Sequence, residues 1–339
     1  MLYFATLFDS NYLNKGLALY DSLRQHATDF RLYVLCLDAA TADFFGGGAY
    51  SNIVTIRLAD LESADADLIK AKHNRGIVEY YFTLSPVLPL HILKTFPDVD
   101  IITTLDADIL FYSSPQPIYD EFHGKSILIT PHRFPPKLKD REVYGLYNVS
   151  FQMFRRDEQG IKCLGEWREQ CLEWCYDRME DNRFADQKYL DAWPDKFNGL
   201  GILNHEGAGL APWNIGQYHI TRRGNIVYSN NSPLIFYHFH DLKAIKPRWF
   251  RHGLDVYGNR MTGPLKNLVY HPYINALIRW SKRLKQQHVN TYLRSKISLP
   301  MSRIEILENY STLLNIFSFR TIEVNFKRYF RYYKKYIKG

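Results

Sequence analysis

The sequence predicts an α/β fold in which helices pack on a largely parallel β-sheet, with a basic helical segment at the carboxyl end. Three observations carry this expectation. The amino-terminal stretch alternates strand, helix and strand periodicity, the opening of a nucleotide-binding α/β unit. The run Ile101 to Thr104 is wholly β-branched and sits among apolar neighbours, which is how a buried central strand reads. At 339 residues, with 46% hydrophobic and 23% charged content, the chain is long enough for one large α/β domain plus an appendage.

Taken in order, residues 2–7 (LYFATL) read as the first strand, and Asn11 to His26 as a helix with Leu13, Leu17, Tyr20 and Leu23 toward the core. The loop between them holds Asp9 and Ser10. Phe30 to Asp38 is a second buried strand, followed by a Gly46-Gly47-Gly48 break and the short strand NIVTI. LADLESADADLIKAK has helical apolar spacing throughout. Asn74 to Lys94 reads as a helix bent at Pro86 and Pro89 that leads into the central strand. A turn at Ser114-Pro115, the strand SILIT, a long Pro- and Lys-rich loop over 131–145 and the strand YNVSFQMFR come next. The loop is aperiodic and basic, which suits a lid over a site. Residues 157–180 read as one amphipathic helix. Its Cys163, Cys171 and Cys175 lack zinc-site spacing to any further ligand, so they are assigned to packing. IFYHFHDLKAIKPRW is a strand carrying His238 and His240 on one side. Tyr257 to Gly263 reads as a linker, which divides the chain into a domain over 1–256 and a helical extension over 264–339.

The chemistry concentrates where the central strand ends, at Asp106 and Asp108. In an extended chain residues two apart point to one side, so the two carboxylates can converge on one object. Paired carboxylates are hard ligands suited to Mg²⁺ or Mn²⁺, and open α/β sheets bind ligands beyond the carboxyl ends of their strands. Spacing alone does not distinguish them, because Asp-x-Asp occurs three times. Asp65 and Asp67 lie on a helical pattern where their side chains diverge, and Asp98 and Asp100 lie in a turn before the strand. For Asp106 and Asp108 the alternative role is to accept hydrogen bonds from loop amides.

FATLFDSNYLNKGLALYDSLRQH, LDAD at Leu105 to Asp108, Asn148, Asp186-Gln187 and the segment from His238 to Trp249 occur in that order. Together they resemble the GT-A glycosyltransferases, in particular the glycogenin-like retaining enzymes of glycosyltransferase family 8. The resemblance covers roughly residues 2–250. It implies the GT-A fold and a metal-dependent transfer of a sugar from a nucleoside diphosphate donor, UDP by analogy, to a hydroxyl with retention of configuration. Ala5, Thr6, Leu7 and Tyr12 would then contact the nucleotide, Tyr12 standing one place before the family's tyrosine. Asn148 matches the family's asparagine, with Ser150 in place of a glycine, and could equally be a strand-edge amide bonding backbone. Asp186 and Gln187 would lie by the sugar's anomeric carbon. Independently of the resemblance, Trp213 in its Pro-Trp loop could stack on an acceptor sugar or equally pack in the core. His238 would be the third ligand to Mn²⁺ and Lys246 would touch the diphosphate. Two departures mark that last motif: Asp241 stands where the family has glycine, and extra residues separate the histidine from Lys246. His240 therefore stays a rival ligand. One imidazole with two carboxylates suits Mn²⁺ better than Mg²⁺.

The net charge of +8 is unevenly placed. Residues 1–254 carry 27 Lys and Arg against 31 Asp and Glu, whereas residues 255–339 carry 16 against 4. That argues against nucleic-acid binding by the main domain and for a basic end meeting an anionic surface. From Phe319 onward, Phe319, Ile322, Phe326, Phe330, Tyr333 and Ile337 form one helical stripe beside the cations Lys327, Arg328, Arg331, Lys334, Lys335 and Lys338, the pattern of an interfacial helix or of one packed on protein. MLYFATLFDS carries no basic n-region and reads directly as strand, so a cytoplasmic, membrane-peripheral enzyme is expected. Its acceptor would be a saccharide or lipid-linked sugar, in surface polysaccharide or glycolipid synthesis. A sugar-1-phosphate nucleotidyltransferase would need a Gly- and Arg-rich loop that FDSNYLNKG lacks. A non-catalytic nucleotide-sugar or membrane binder stays open on the altered histidine motif.

Overall fold

The computed structural model describes residues 1–246, 249–287 and 321–323. Its strands are β1 (Leu2–Phe8), β2 (Phe30–Cys36), β3 (Ile53–Arg57), β4 (Ile101–Leu105), β5 (Ile109–Phe111), β6 (Ile127–Pro131), β7 (Tyr147–Arg155) and β8 (Leu200–Ile202). A small hairpin unit, β9 (Ile220–Arg223), β10 (Ile226–Ser229) and β11 (Ser232–Pro233), leads to β12 (Phe236–His238), β13 (Lys243–Lys246), β14 (Trp249–Arg251) and β15 (Thr321–Glu323). The helices are α1 (Leu13–His26), α2 (Ala39–Phe45), α3 (Leu58–Ala64), α4 (Ala66–Asn74), α5 (Ile77–Thr95), α6 (Gln116–Phe122), α7 (Glu158–Glu173), α8 (Trp193–Lys196) and α9 (His271–Gln286).

The α/β class read from the sequence is the one built. Seven strands form the central sheet in the order β3-β2-β1-β4-β7-β6-β8. β1 pairs in parallel with β2 and β4, and β2 with β3; β7 pairs antiparallel with both β4 and β6, and β6 is parallel to β8. Six strands therefore share one direction and β7 alone opposes them. Apolar clusters cover both faces, so the sheet is the middle of three layers. One cluster joins Phe4, Leu17 and Leu23 to Phe236 and Trp280. The other joins Tyr33 and Ile102 to Leu84 and Trp167 of α5 and α7.

The structure departs from the sequence reading at identifiable places. The helical pattern over LADLESADADLIKAK breaks into α3 and α4 at Asp65, whose carboxylate accepts from the amides of Asp67 (3.1 Å) and Leu68 (3.3 Å). A side-chain cap there satisfies amides that a continuous helix would bond to backbone. α7 stops at Glu173, so Cys175 follows the helix; all four cysteines are buried free thiols. α5 is one helix that contains Pro86 and Pro89, as expected. The long loop contains a 3₁₀ segment over Pro136–Tyr144.

Residues 265–284 fold into the first core cluster. Trp280 Nε1 donates to Asp21 (2.8 Å) and Asn14 Nδ2 to Ser281 (3.0 Å), so α9 packs along α1 across the expected linker at 257–263. Three residues of the expected tail helix, Thr321–Glu323, instead form β15 against β14. β-branched Thr321 and Ile322 suit a strand better than a helix. The rest of the tail stripe lies outside the described residues. No described helix is long and apolar enough to cross a membrane.

Candidate active site

The site grows from the end of β4. After Leu105 the chain turns through Asp106-Ala107-Asp108 into β5, and the Ile109 amide closes the turn onto Asp106 O at 3.2 Å. The Asp106 amide donates to Ser150 O of the neighbouring β7 at 2.9 Å. β5 pairs antiparallel with β12, which sets His238 opposite Ile109 and hence beside Asp108. The Phe239 amide donates to Asp108 O (2.9 Å) and fixes that register. His238 Nε2 accordingly lies 3.1 Å from Asp108 Oδ1 and 3.4 Å from Asp106 Oδ2. One ligand atom from each of Asp106, Asp108 and His238 falls within 4.8 Å of the others, and this is the one such group of three found among the described residues.

A fourth residue joins from α1. Lys15 Nζ lies 3.2 Å from Asp108 Oδ2 and 4.1 Å from the centre of the Tyr12 ring. The Lys15 and Asp108 side chains are 15% and 13% exposed, so solvent screens their attraction little. Burial opposes charge on Asp108, but Lys15 and His238 overcome it and hold the carboxyl well below the usual carboxylate range. Asp106, 42% exposed on the cavity side, goes the other way. Desolvation of its carboxyl raises it against the pull of His238, and Asp108 raises it further. Burial works against charge on His238 too, and its two carboxylate partners raise it in spite of that.

Asp106 and His238 open into a cavity of about 720 Å³ that Asp186 and Gln187 also line. Asp186 is 2% exposed, and burial pushes its carboxyl up to about 7; the Ser85 hydroxyl, donating at 2.6 Å, works against that rise. Its backbone carbonyl accepts from Trp167 Nε1 at 2.9 Å. Ala185 just before it has φ +46, a left-handed conformation rare outside glycine, so this turn is held by its surroundings. Gln187 Nε2 donates to Tyr144 O (3.0 Å), which ties the loop expected as a lid to the carboxylate wall.

Trp213 also lines the cavity, edge-on to His132, His238, His240 and Tyr257. Its loop is pinned by buried Asn214, which donates to the carbonyls of His132 (3.0 Å) and Gly209 (2.9 Å). The Trp213 indole N–H and His132 Nδ1 are both buried without a hydrogen-bond partner among the described residues. Burial holds His132 down at about 3, a neutral imidazole.

The remaining candidates are placed as follows. His240 lines the cavity with its ring 5.7 Å from that of His238 and stands outside the three-residue cluster. Asn148 lines it too, but its amide is occupied: Nδ2 donates to Thr130 O (3.2 Å), and Oδ1 accepts from the Ser150 amide (3.2 Å) and hydroxyl (2.6 Å). Ala5 and Thr6 are buried in β1, Thr6 Oγ1 lacks a partner, and Leu7 is half-buried; these three and exposed Tyr12 do not line the cavity. Lys246 ends β13 opposite Trp249, and its side chain, with Pro247 and Arg248, lies outside the described residues. Asp241 has φ +59, the conformation that favours the glycine of the motif it resembles, and aspartate is among the residues that tolerate it. Lys15, Ser85 and His132 were not singled out from the sequence. Ser85, a hydroxyl in the largely apolar α5, carried a weak signal, and Lys15 carried none.

The donor set fits a divalent cation. Two carboxylates and an imidazole supply hard oxygen and borderline nitrogen, and Asp106, raised first by burial and then by the neighbouring Asp108, sits where a cation would stabilise its charge.

No family model matches the chain. Among solved structures, the galactosyltransferase LgtC in complex with donor and acceptor sugar analogs is 15% identical with TM-score 0.48, covering 81% of this chain and 95% of that one. The glycosyltransferase GlyE of Streptococcus pneumoniae TIGR4 is 12% identical with TM-score 0.47, covering 87% and 66%. Among sequences, the uncharacterized protein YfnD of Bacillus subtilis (strain 168) is 31% identical over 281 residues, 82% of this chain and 89% of that protein. YfnF of the same strain is 30% identical over 250 residues, 71% and 82%. The chain therefore belongs to the family of the Bacillus subtilis proteins YfnD and YfnF.

Proposed function

We propose that this chain is a metal-dependent glycosyltransferase that moves a sugar from a nucleoside diphosphate donor, UDP by its sequence resemblance, to a hydroxyl of a saccharide or lipid-linked acceptor. The observation that carries the reading is the convergence of Asp106, Asp108 and His238 at the edge of a cavity that Asp186 and Gln187 also line. These three residues would hold Mn²⁺. A cation there supplies Lewis acidity to the departing diphosphate. Trp213 lines the cavity as a buried ring, and its edge shapes the space beside His238. Asp186, fixed by Ser85, stands where charge develops at the sugar carbon. The lid tie from Gln187 to Tyr144 O closes that part of the cavity against water.

The test is hydrolysis of a panel of UDP-sugars by the full chain, with and without Mn²⁺, read beside the shift in melting temperature, since ligands stabilise by mass action. At least one donor should be turned over only with metal. His238→Ala should raise the Mn²⁺ requirement about tenfold or more, and His240→Ala should leave it within about twofold; the reverse order would move the metal ligand to His240.

The reading extends to an anionic membrane surface beside the acceptor, in surface polysaccharide or glycolipid synthesis. Its support is the solvent face of α9, where Arg279, Lys282, Arg283 and Lys285 are exposed and the helix carries no acid. Full chain should cosediment with vesicles containing anionic lipid and be released by salt, and deletion of residues 319–339 should weaken binding while sparing hydrolysis. Equal binding to neutral vesicles would remove the membrane from the reading.

A further inference from the structure

Lys15 is the one charged group of the metal cluster that the proposed chemistry leaves without a task. Asp108 divides its oxygens: Oδ1 faces His238 at 3.1 Å, and Oδ2 faces Lys15 at 3.2 Å. A cation ligated through Oδ1 leaves Oδ2 to the lysine, and chelation by both oxygens would have to displace it. The ammonium is held from two sides, over the Tyr12 ring and against the carboxylate, so it is a fixed part of the site and no roaming surface charge.

The charges decide what this does. Asp106 and Asp108 contribute two negative charges, and Lys15 cancels one. His238 counts as neutral, as a metal ligand must be. A divalent cation entering alone would turn a site of net charge −1 into one of net +1, in a place only lightly screened. A diphosphate entering alone would carry two more negative charges to the carboxylates. The two together restore −1. Without Lys15, the cation alone would neutralise the carboxylate pair.

Resting on the donor reading above, we propose that Lys15 couples the two ligands: its ammonium makes the bare site a weak cation site, and so makes the divalent cation and the sugar-nucleotide diphosphate bind as one unit. Coupling of this kind is reciprocal, so each ligand strengthens the other by the same factor. It also keeps the protein from holding a metal with no donor to act on.

The experiment measures Mn²⁺ binding to the full chain from the electron paramagnetic resonance signal of free Mn²⁺, with and without UDP. It compares the wild type with Lys15→Met, which keeps the stem and removes the charge, and with Lys15→Arg, which keeps the charge. Wild-type protein should bind Mn²⁺ weakly alone and about tenfold or more tightly with UDP. Lys15→Met should bind Mn²⁺ alone about tenfold or more tightly than wild type, with a smaller response to UDP. Lys15→Arg should follow wild type. If UDP tightens Mn²⁺ binding in the wild type but Lys15→Met leaves the metal-only affinity unchanged or weaker, the role of Lys15 is overturned while the donor reading stands. If Lys15→Arg behaves as Lys15→Met does, shape and not charge is responsible, which overturns the proposal as well. If UDP does not alter wild-type Mn²⁺ binding at all, the donor reading fails and the coupling fails with it.

Discussion

Asp108→Asn should remove Mn²⁺-linked stabilisation by UDP and lower UDP-sugar hydrolysis by about two to three orders of magnitude, the range expected when several kcal/mol of charge stabilisation is lost. Asp108 is the residue on which the cluster depends, because His238 and Lys15 each take one of its oxygens. Asparagine suits the experiment better than alanine. It leaves an oxygen for Lys15, whereas truncation would strand a sheltered ammonium, and breaking such a pair costs about 3–5 kcal/mol when fully buried. The backbone of the site is independent of the side chain, since the Phe239 amide donates to Asp108 O in any variant. The variant should therefore keep the fold, melt somewhat below the wild type without ligand because the charge facing Lys15 is lost, and lose its response to Mn²⁺ and UDP. Wild-type turnover by Asp108→Asn, or undiminished turnover in a chelator, would remove the metal from the mechanism.

Asp186→Asn should separate activity from stability in opposite directions. Hydrolysis should fall about a hundredfold or more, the usual effect of deleting one group that faces developing charge. The metal-free variant should gain stability over the wild type as pH rises. Burial pushes the Asp186 carboxyl up to about 7, above the value near 3.9 of an unfolded aspartate, so the folded state holds the proton more tightly. That contribution is fully present below the unfolded value and is lost as pH climbs through about 7. Urea unfolding at pH 4.5 and pH 8 should show a wild-type loss of up to about 3 kcal/mol that the variant lacks. Identical pH dependence in the two proteins would show that Asp186 is ionised in the folded state with its charge met elsewhere.

Local chemistry carried much of this in the sequence. The β-branched run 101–104 could only be a buried strand, and its alternation aims Asp106 and Asp108 the same way whatever the rest of the chain does. The same reasoning set aside Asp65 and Asp67, one of which proves to be a helix cap. The exclusion of zinc from the cysteines rested on spacing alone, and all four thiols are buried. Where local signals competed, the sequence left the outcome open: helical periodicity against the capping power of Asp65, or helical spacing against β-branching at Thr321 and Ile322.

Only the tertiary structure could separate the two histidines by position. His238 and His240 share a face of one strand, and the pairing of β12 with β5 puts His238 and not His240 against the carboxylates. It likewise brought Lys15 from 93 positions away on α1, and Ser85 from 101 positions away to Asp186. It folded α9 into the core of the first domain across the stretch that composition marks as a linker. Periodicity is a property of neighbours along the chain, so it specifies which side each residue presents. Which sides then meet depends on how strands pair and helices pack, a choice made by the buried surface of the whole domain and written at no single position.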